Sequence, residues 1–461
     1  MSPELQLFDD AATLFDGAEP PRLLTFELYG GLFQHDFSSE AKLYAFLEQL
    51  LEVREFAEDR RQAQNALLAL EPDRPWSFRH DRIYNFLRAD PQTELDLLAA
   101  TLTPVPHALA ALNHALKTGV PAVAACDGPL PEAFWRALME RHGVAGVEAI
   151  YTSCESGVSK QKYTMFRRIL ADRELQPSDV AHFGPDEYND VGVPRDIGMR
   201  YARLAPVAEG LASRSPVFAA ARETLGAIGT VEADLLQRAM ERALIAACAD
   251  GDPALRLSQS APAICGLGPL LVGFSEWIAA WLGHWGCARL FMAAPEQSIF
   301  ARVGALLVRR DLPELEVIVI PEERVGDSAM LRRDADGAPA GVVSVDPHGA
   351  GAGRLVARNP HLALRPALHF ALSGASRNIA RDQCYLHANG APTDRARVAA
   401  QAAALIEPLF AATVEPQARD FADIGRFAVE WSRLRSAYRK MHLPRATAVK
   451  LLAAVAGATQ A

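Results

Sequence analysis

The sequence contains no Cys-x-x-Cys pair, and its six cysteines, Cys126, Cys154, Cys248, Cys265, Cys287 and Cys384, lie far apart. That spacing excludes a dense disulfide framework and fits reduced thiols in a cytoplasm. Positive charge is not in excess: 47 Lys and Arg stand against 56 Asp and Glu, a net charge of -9. Broad nucleic-acid binding therefore has no electrostatic basis. The opening residues, MSPELQLFDD, lack the charged-then-apolar order of a signal peptide. The apolar stretch nearest a membrane length, Ile264 to Leu282, is interrupted by Gly266, Gly268, Pro269, Gly273 and Glu276. It reads as a turn plus a buried helix, so the expectation is a soluble, cytoplasmic protein with no transmembrane segment. Fixed-period repeats and low-complexity tracts are missing too. What is present is 50% hydrophobic and 22% charged residues over 461 positions. That composition excludes a mainly disordered chain and supports two or three domains.

The order of the apolar runs gives the architecture. Arg22 to Leu28, RLLTFEL, is a short strand running into a Tyr29-Gly30-Gly31 turn. From Ser38 to about Leu116 the apolar residues take helical spacing, which predicts an insertion of about four helices. Strands at Pro121 to Cys126, Glu148 to Thr152 and Val180 to Phe183 then alternate with helices at Pro131 to Arg141 and Tyr163 to Asp172. Such alternation predicts an α/β fold with a parallel sheet. Leu204 to Pro216 reads as a loop-like boundary, and Thr224 to Cys248 and Gly266 to Trp285 as helices. A second alternating block starts at Cys287. It has strands CARLFMAA, LEVIVI, AGVVSVD and PALHFAL, and helices over 298–310, 393–410 and 426–439. The expected domains are 1–212, with the insertion over approximately 38–116, and a second α/β domain over 213–461.

Reacting groups in open parallel sheets sit at the C-terminal ends of strands. In order, those ends carry Glu27 and Tyr29, then Cys126 and Asp127, then the segment SCESGVSKQKYTMF with Lys160, then Gly184-Pro185-Asp186-Glu187-Tyr188-Asn189-Asp190. This succession of acid, thiol, lysine and acidic loop resembles the haloacid dehalogenase-like hydrolase superfamily, whose cap is inserted after the first strand. It is more similar still to a branch that accompanies bacterial surface-polysaccharide biosynthesis genes. There Cys126-Asp127-Gly128-Pro129-Leu130, His182 to Asp190 and the Gly268 to Phe274 segment match the second motif, the fourth motif and a Gly-Pro-Leu-x-x-Gly-Phe run. The resemblance implies a dehalogenase-like parallel sheet with a helical cap, followed by a second, Rossmann-like α/β domain. It implies catalytic positions at Glu27, Tyr29, Cys126 and Lys160, and a Mg²⁺ site, weak or absent, at Glu27, Asp186 and Asp190.

The departures from that pattern bear on activity. Glu27 stands where the family has its nucleophilic Asp, and its carboxylate reaches about 1 Å further, enough to disturb a near-attack geometry. Tyr29 replaces the general acid, Gly31 the motif Thr, Cys126 the second-motif hydroxyl and Pro185 the first acid of the fourth motif. In the second domain, Ala294-Pro295-Glu296 replaces an Arg-Asp-Gly, and Ser344 falls where relatives carry an Asp. A Gly-rich turn with Asp346, His348, Gly349 and Gly351 follows, and its backbone N–H groups suit the phosphate of a phosphorylated sugar or nucleotide sugar.

Each of these residues also has a plain structural reading. Glu27 serves equally as an ion-paired strand-end acid, Lys160 as one charge of a helix face, and Asp186 and Asp190 as caps. Cys126 reads as a small buried residue, His182 as a core histidine, and Trp277, Trp281 and Trp285 as a packed stripe or interface. The resulting expectation is a dehalogenase-like hydrolase homologue in surface-glycan (capsule or lipopolysaccharide) biosynthesis with weak or no phosphatase activity. An active metal-dependent or dehalogenase-type hydrolase using Glu27 is one alternative. A non-catalytic scaffold for glycan-biosynthesis enzymes, or a sugar-phosphate binding protein, is the other.

Overall fold

The computed structural model describes residues 20–294, 308, 312–321, 340–345, 357, 364–370, 418–438, 443 and 445–460. The chain divides into two compact units, Met1–Leu211 with Cys248–Ala254, and Ala212–Ala247 with Leu255–Ala461.

The first unit is built on a five-stranded sheet in the order β5-β4-β1-β6-β7, comprising β1 (Leu23–Phe26), β4 (Ala122–Cys126), β5 (Val147–Thr152), β6 (Val180–Gly184) and β7 (Arg200–Arg203). All its pairings are parallel. Every residue of β1, β4 and β6 is buried, as expected of strands covered on both faces. On one face, helix Thr164–Asp172 packs Met165, Phe166 and Ile169 with Leu23, Val123 and Val180.

Two short strands, β2 (Phe33–Gln34) and β3 (Thr103–Pro104), pair antiparallel and close the neck of an insertion after β1. Between them lie helices Glu40–Leu51, Phe56–Leu70, His80–Tyr84 and Pro91–Thr101. Ser39 caps the first by accepting from Lys42 N, and Asp90 caps the last by accepting from Gln92 N at 3.0 Å. The four helices match the expected cap in number, but the cap closes earlier than 116. Helix Pro106–Lys117 follows the β2–β3 ladder and packs against β4, so it belongs to the sheet layer. Strand order and insertion together form the expected parallel sheet with a helical cap.

Two expectations near the boundary need correction. The stretch read as a loop over Leu204 to Pro216 contains helix Val207–Arg214, which buries Val207, Ala208 and Leu211. Thr224 to Cys248 is two helices, because the helix Pro216–Ile228 stops and Thr230 starts Val231–Cys248 by accepting from Ala233 N at 3.3 Å.

The second unit holds a four-stranded parallel sheet in the order β11-β10-β8-β9, formed by β8 (Arg289–Ala294), β9 (Glu316–Pro321), β10 (Ala340–Val345) and β11 (Leu364–Phe370). Its described helices include Gly268–Trp285, Ala418–Ala437 and Arg445–Gln460. The first of these buries Leu270, Leu271, Phe274, Ile278 and Leu282. The tryptophans expected to form a packed stripe sit beside that face: Trp277 and Trp281 are half-buried and Trp285 is exposed. One helical run among the described residues, Pro253–Trp285, is long and apolar enough to cross a membrane, and most of its apolar stretch is buried within the chain. Instead of the expected turn, this run is continuous, with a wide helical turn at Ala263–Leu267 flanked by Pro262 and Pro269. The expected helices over 298–310 and 393–410 fall outside the described residues, Val308 apart.

Candidate active site

At the C-terminal end of the first sheet, Glu27 extends the β1 ladder by donating its N–H to Phe183 O at 2.8 Å. Its Oε1 accepts from Tyr29 N at 2.9 Å, and its Oε2 accepts from Lys160 Nζ. The same ammonium donates to Asp190 Oδ1. Lys160 arrives on the loop before helix Thr164–Asp172. Its backbone N–H donates to Asp127 Oδ1 and Oδ2 at 3.1 and 3.0 Å, which fixes the start of its side chain. Glu27, Lys160 and Asp190 are only 6%, 1% and 1% exposed, so the three charges form a closed cluster.

Asp190 is held from behind. His182 on β6 lies with Nε2 3.0 Å from Asp190 Oδ1 and Nδ1 2.7 Å from Thr25 Oγ1, and Asp186 N donates to Asp190 Oδ2 at 3.0 Å. Two glycines permit this packing. A Cβ on Gly184 would lie 2.3 Å from Asp190 Cγ, and one on Gly31 would lie 2.3 Å from Glu27 O. Gly31 thus stands where any side chain would meet the backbone of Glu27.

The electrostatics follow from one ammonium shared by two buried acids. Burial raises Asp190, but Lys160 and His182 outweigh it and hold the carboxyl below the usual range. Burial pushes Glu27 up, and Lys160 offsets this only in part, with Asp190 adding to the rise. Burial also lowers Lys160, yet Asp190 and Glu27 keep it above the ordinary lysine value. His182 is pushed down by burial, which favours the neutral ring. A neutral ring donating from Nε2 to Asp190 leaves Nδ1 to accept from the Thr25 hydroxyl. Burial and nearby Glu27 push the Cys126 thiol well up, so its sulfur stays protonated and is a poor nucleophile.

The acids named for Mg²⁺ do not form a cation site. Asp186 is exposed and caps the following turn, accepting from Tyr188 N at 3.1 Å and Asn189 N at 2.6 Å. Glu27 and Asp190 each give one oxygen to the Lys160 ammonium and the other to a backbone N–H, so neither offers a free oxygen to a divalent ion. Pro185 supplies no carboxylate, and no group of three or more His, Cys, Asp or Glu among the described residues is arranged to hold a metal ion. The residues present do not fit Mg²⁺.

Above this cluster lies a cavity of about 80 Å³ between sheet and cap. Tyr29, Cys126, Asp127 and Trp135 form its sheet wall; Glu40, Tyr44, Arg60, Trp76, His80 and Glu94 are on the cap side. Glu27, Lys160 and Asp190 do not line it. Of the sequence candidates, the cavity therefore brings together Tyr29 and Cys126, while Glu27, Lys160 and Asp190 meet beneath. Tyr29 lies edge-on to Trp135, with ring centroids 6.5 Å apart, and burial pushes its phenol well up, keeping it neutral. His348, Gly349 and Gly351 lie outside the described residues, as does Asp346.

Sequence reasoning missed the cap half of the cavity. Arg60 is buried and paired with Glu94 through two hydrogen bonds, Nε to Oε2 at 2.8 Å and NH2 to Oε1 at 2.9 Å. It also donates to Gln64 Oε1 at 2.9 Å and stacks over Tyr44, 4.7 Å from the ring centroid. Tyr84 OH donates to Glu94 Oε2 at 2.6 Å, and His80 Nε2 lies 3.3 Å from the same oxygen. Burial alone would raise Glu94, but His80 and Arg60 bring it down to about 2. The helical spacing of the insertion gave no hint that these charges point inward; only the adjacency of charged and aromatic residues in HDRIY could have drawn attention to it.

No family model matches the sequence, and no curated protein matches it. The chain is similar to several solved structures. One is a HAD-family enzyme from Bacteroides thetaiotaomicron, at 14% identity over 40% of this chain and 94% of that one, with a TM-score of 0.32. The same enzyme in complex with magnesium and inorganic phosphate aligns at 13% identity over 40% and 95%, with a TM-score of 0.31. The third is an L-2-haloacid dehalogenase from Xanthobacter autotrophicus with chloropropionic acid covalently bound, at 20% identity over 42% and 81%, with a TM-score of 0.31.

Proposed function

We propose that the first unit is a ligand-binding module on a hydrolase fold, which does not turn over phosphate esters or haloacids through Glu27. One observation carries this reading: the cavity wall is made by Tyr29, Cys126 and Asp127, with Glu27 sealed behind it. A nucleophilic carboxylate must reach within about 3–3.5 Å of its target with a free, ionised oxygen. Both Glu27 oxygens are engaged, by Tyr29 N–H and Lys160, and its carboxyl is pushed toward the neutral form. The chain's own groups then do the work of binding. Tyr29 and Trp135 offer aromatic surface, and Asp127 and the Arg60–Glu94 pair give polar walls.

The cellular setting in this proposal is cytoplasmic surface-glycan biosynthesis, supported by the order of the strand-end motifs, which is an associational argument. In it, the protein binds or organises glycan-biosynthesis enzymes. The second unit's Gly-rich segment, with His348, Gly349 and Gly351, takes a sugar phosphate or nucleotide sugar. Loss of the gene is expected to alter capsule or lipopolysaccharide, and unchanged surface glycan would contradict that setting.

The second reading, a hydrolase using Glu27, is favoured by the meeting of Lys160 with Glu27 at the end of β1. Product formation from a phosphate-ester and haloacid panel, measured on the same samples used for ligand-induced thermal shifts, separates the two. Shifts without product support the binding module.

A further inference from the structure

The cavity has an unusual charge balance for a fold expected to handle anions. Glu27, Glu40, Glu94, Asp127 and Asp190, in its wall or directly beneath, are five acids against the two permanent cations Arg60 and Lys160 and the imidazole of His80. Both permanent cations are already committed: Arg60 to Glu94 and Gln64, Lys160 to Glu27 and Asp190. Neither is free to receive a phosphate or carboxylate, whose recognition rests on charge-assisted donors. Tyr29, Trp76 and Trp135 also line the cavity, and aromatic rings attract positive charge to their faces.

A second observation points to a ligand independently of the acids. His80 and Trp135 line the cavity and are 3% and 0% exposed, yet His80 Nδ1 and Trp135 Nε1 have no hydrogen-bond partner among the described residues. Buried polar atoms in native proteins are nearly always satisfied, so each asks for a partner the chain does not supply. His80 Nε2 lies 3.3 Å from Glu94 Oε2, and Nδ1 is left for a partner from outside the chain. Trp135 Nε1–H can only donate. Its complement therefore carries an acceptor oxygen within reach of the indole and a polar group for the His80 ring. His80 is held against the segment after β4, because its backbone N–H donates to Pro129 O at 2.9 Å.

We propose that this cavity binds a small primary amine bearing a hydroxyl or similar acceptor, or the amine-bearing end of a larger molecule. The assignment rests on the reading of the unit as a ligand-binding module and names the class of its ligand. A volume of about 80 Å³ is well below the roughly 300–1,000 Å³ that houses a drug-sized ligand, so only a group of a few heavy atoms enters. The ammonium matches the surplus of carboxylates, and the hydroxyl accepts from Trp135.

The test is thermal unfolding of the full chain, at constant ionic strength and neutral pH, with ethanolamine, ethylene glycol, inorganic phosphate or magnesium chloride. Ethanolamine is expected to raise the midpoint with concentration and the other three to leave it unchanged. Trp135→Phe and Glu40→Gln should each weaken the apparent affinity for ethanolamine about tenfold. Trp135→Phe keeps an aromatic ring while removing the N–H, and Glu40→Gln is nearly isosteric and changes a residue at the first position of its helix, so at least one readout survives a folding defect. Stabilisation by phosphate or magnesium but not ethanolamine, an ethanolamine shift indifferent to both substitutions, or no shift with ethanolamine overturns the assignment. Phosphate binding without turnover removes only the amine; Glu27-dependent turnover removes the binding-module reading itself.

Discussion

His182 Nε2 lies 3.0 Å from Asp190 Oδ1, and both side chains are buried beneath the sheet's C-terminal edge. The pair fixes the carboxylate that faces Lys160, so a histidine with no reacting partner still determines how the charged cluster is assembled. Asp190→Asn leaves the Lys160 ammonium with Glu27 alone in a buried site. It is expected to cost about 3–5 kcal/mol, the usual penalty for breaking a buried ion pair. His182→Phe keeps the packing against Phe166 and removes two hydrogen bonds, and its expected cost is smaller, about 1–3 kcal/mol. Urea denaturation of the three proteins checks the order; a His182 variant less stable than the Asp190 variant contradicts it.

Gly184 is expected to tolerate no side chain. The Cβ of Gly184→Ala would meet Asp190 Cγ at 2.3 Å, and that carboxylate is anchored by Lys160, His182 and Asp186 N. Overpacking of this kind costs about 1–3 kcal/mol. A melting temperature equal to that of the unsubstituted protein would show that the cluster is looser than described.

The two acids of the cluster make opposite contributions with pH. Asp190 is held below its ordinary value of 3.8, so its stabilisation is present above that value and is lost as pH falls through the depressed one. Glu27 is held above its ordinary value of 4.5; its contribution is complete below that value and is lost as pH rises through the neutral range. Between about pH 5 and 8 the unsubstituted protein should lose stability relative to Glu27→Gln, whose side chain does not titrate. Parallel stability curves for the two proteins across that window would exclude a raised Glu27.

In the cap, Arg60 and Glu94 form a buried, two-bond ion pair joined by Tyr84 and His80. Arg60→Met or Glu94→Gln alone should destabilise by about 3–5 kcal/mol, and the double substitution by less than the sum. A thermodynamic cycle with no coupling energy would mean that the pair adds nothing beyond its packing.

How far these features could be read from the sequence differed with the kind of interaction. Buried parallel strands leave continuous apolar runs such as AVAAC and VAHF, so the sheet and the positions of Glu27, Cys126 and Lys160 at or near its strand ends were legible. The cap was visible as a change from a short apolar run to helical spacing. Its end was not, because the two-residue strands β2 and β3 that close it are too short to leave a pattern. Asp186 and Asp190 sit four residues apart in one acidic loop, yet one caps a turn at the surface while the other is buried on Lys160. That distinction depends on which way the wide helical turn Glu187–Gly192 rotates each side chain, which composition does not encode. Arg60 and Glu94 are 34 positions apart on separate helices, and only the folded cap makes them neighbours.

The central claim is that Glu27 is sealed beneath the cavity and performs no nucleophilic chemistry. Its most direct test is product release from p-nitrophenyl phosphate and 2-chloropropionate by the purified full chain, with and without Mg²⁺, beside Glu27→Gln and Glu27→Asp. The account predicts no Glu27-dependent turnover by the unsubstituted protein, with any gain confined to Glu27→Asp, whose shorter carboxylate withdraws from Lys160. Turnover by the unsubstituted protein that disappears in Glu27→Gln would contradict it.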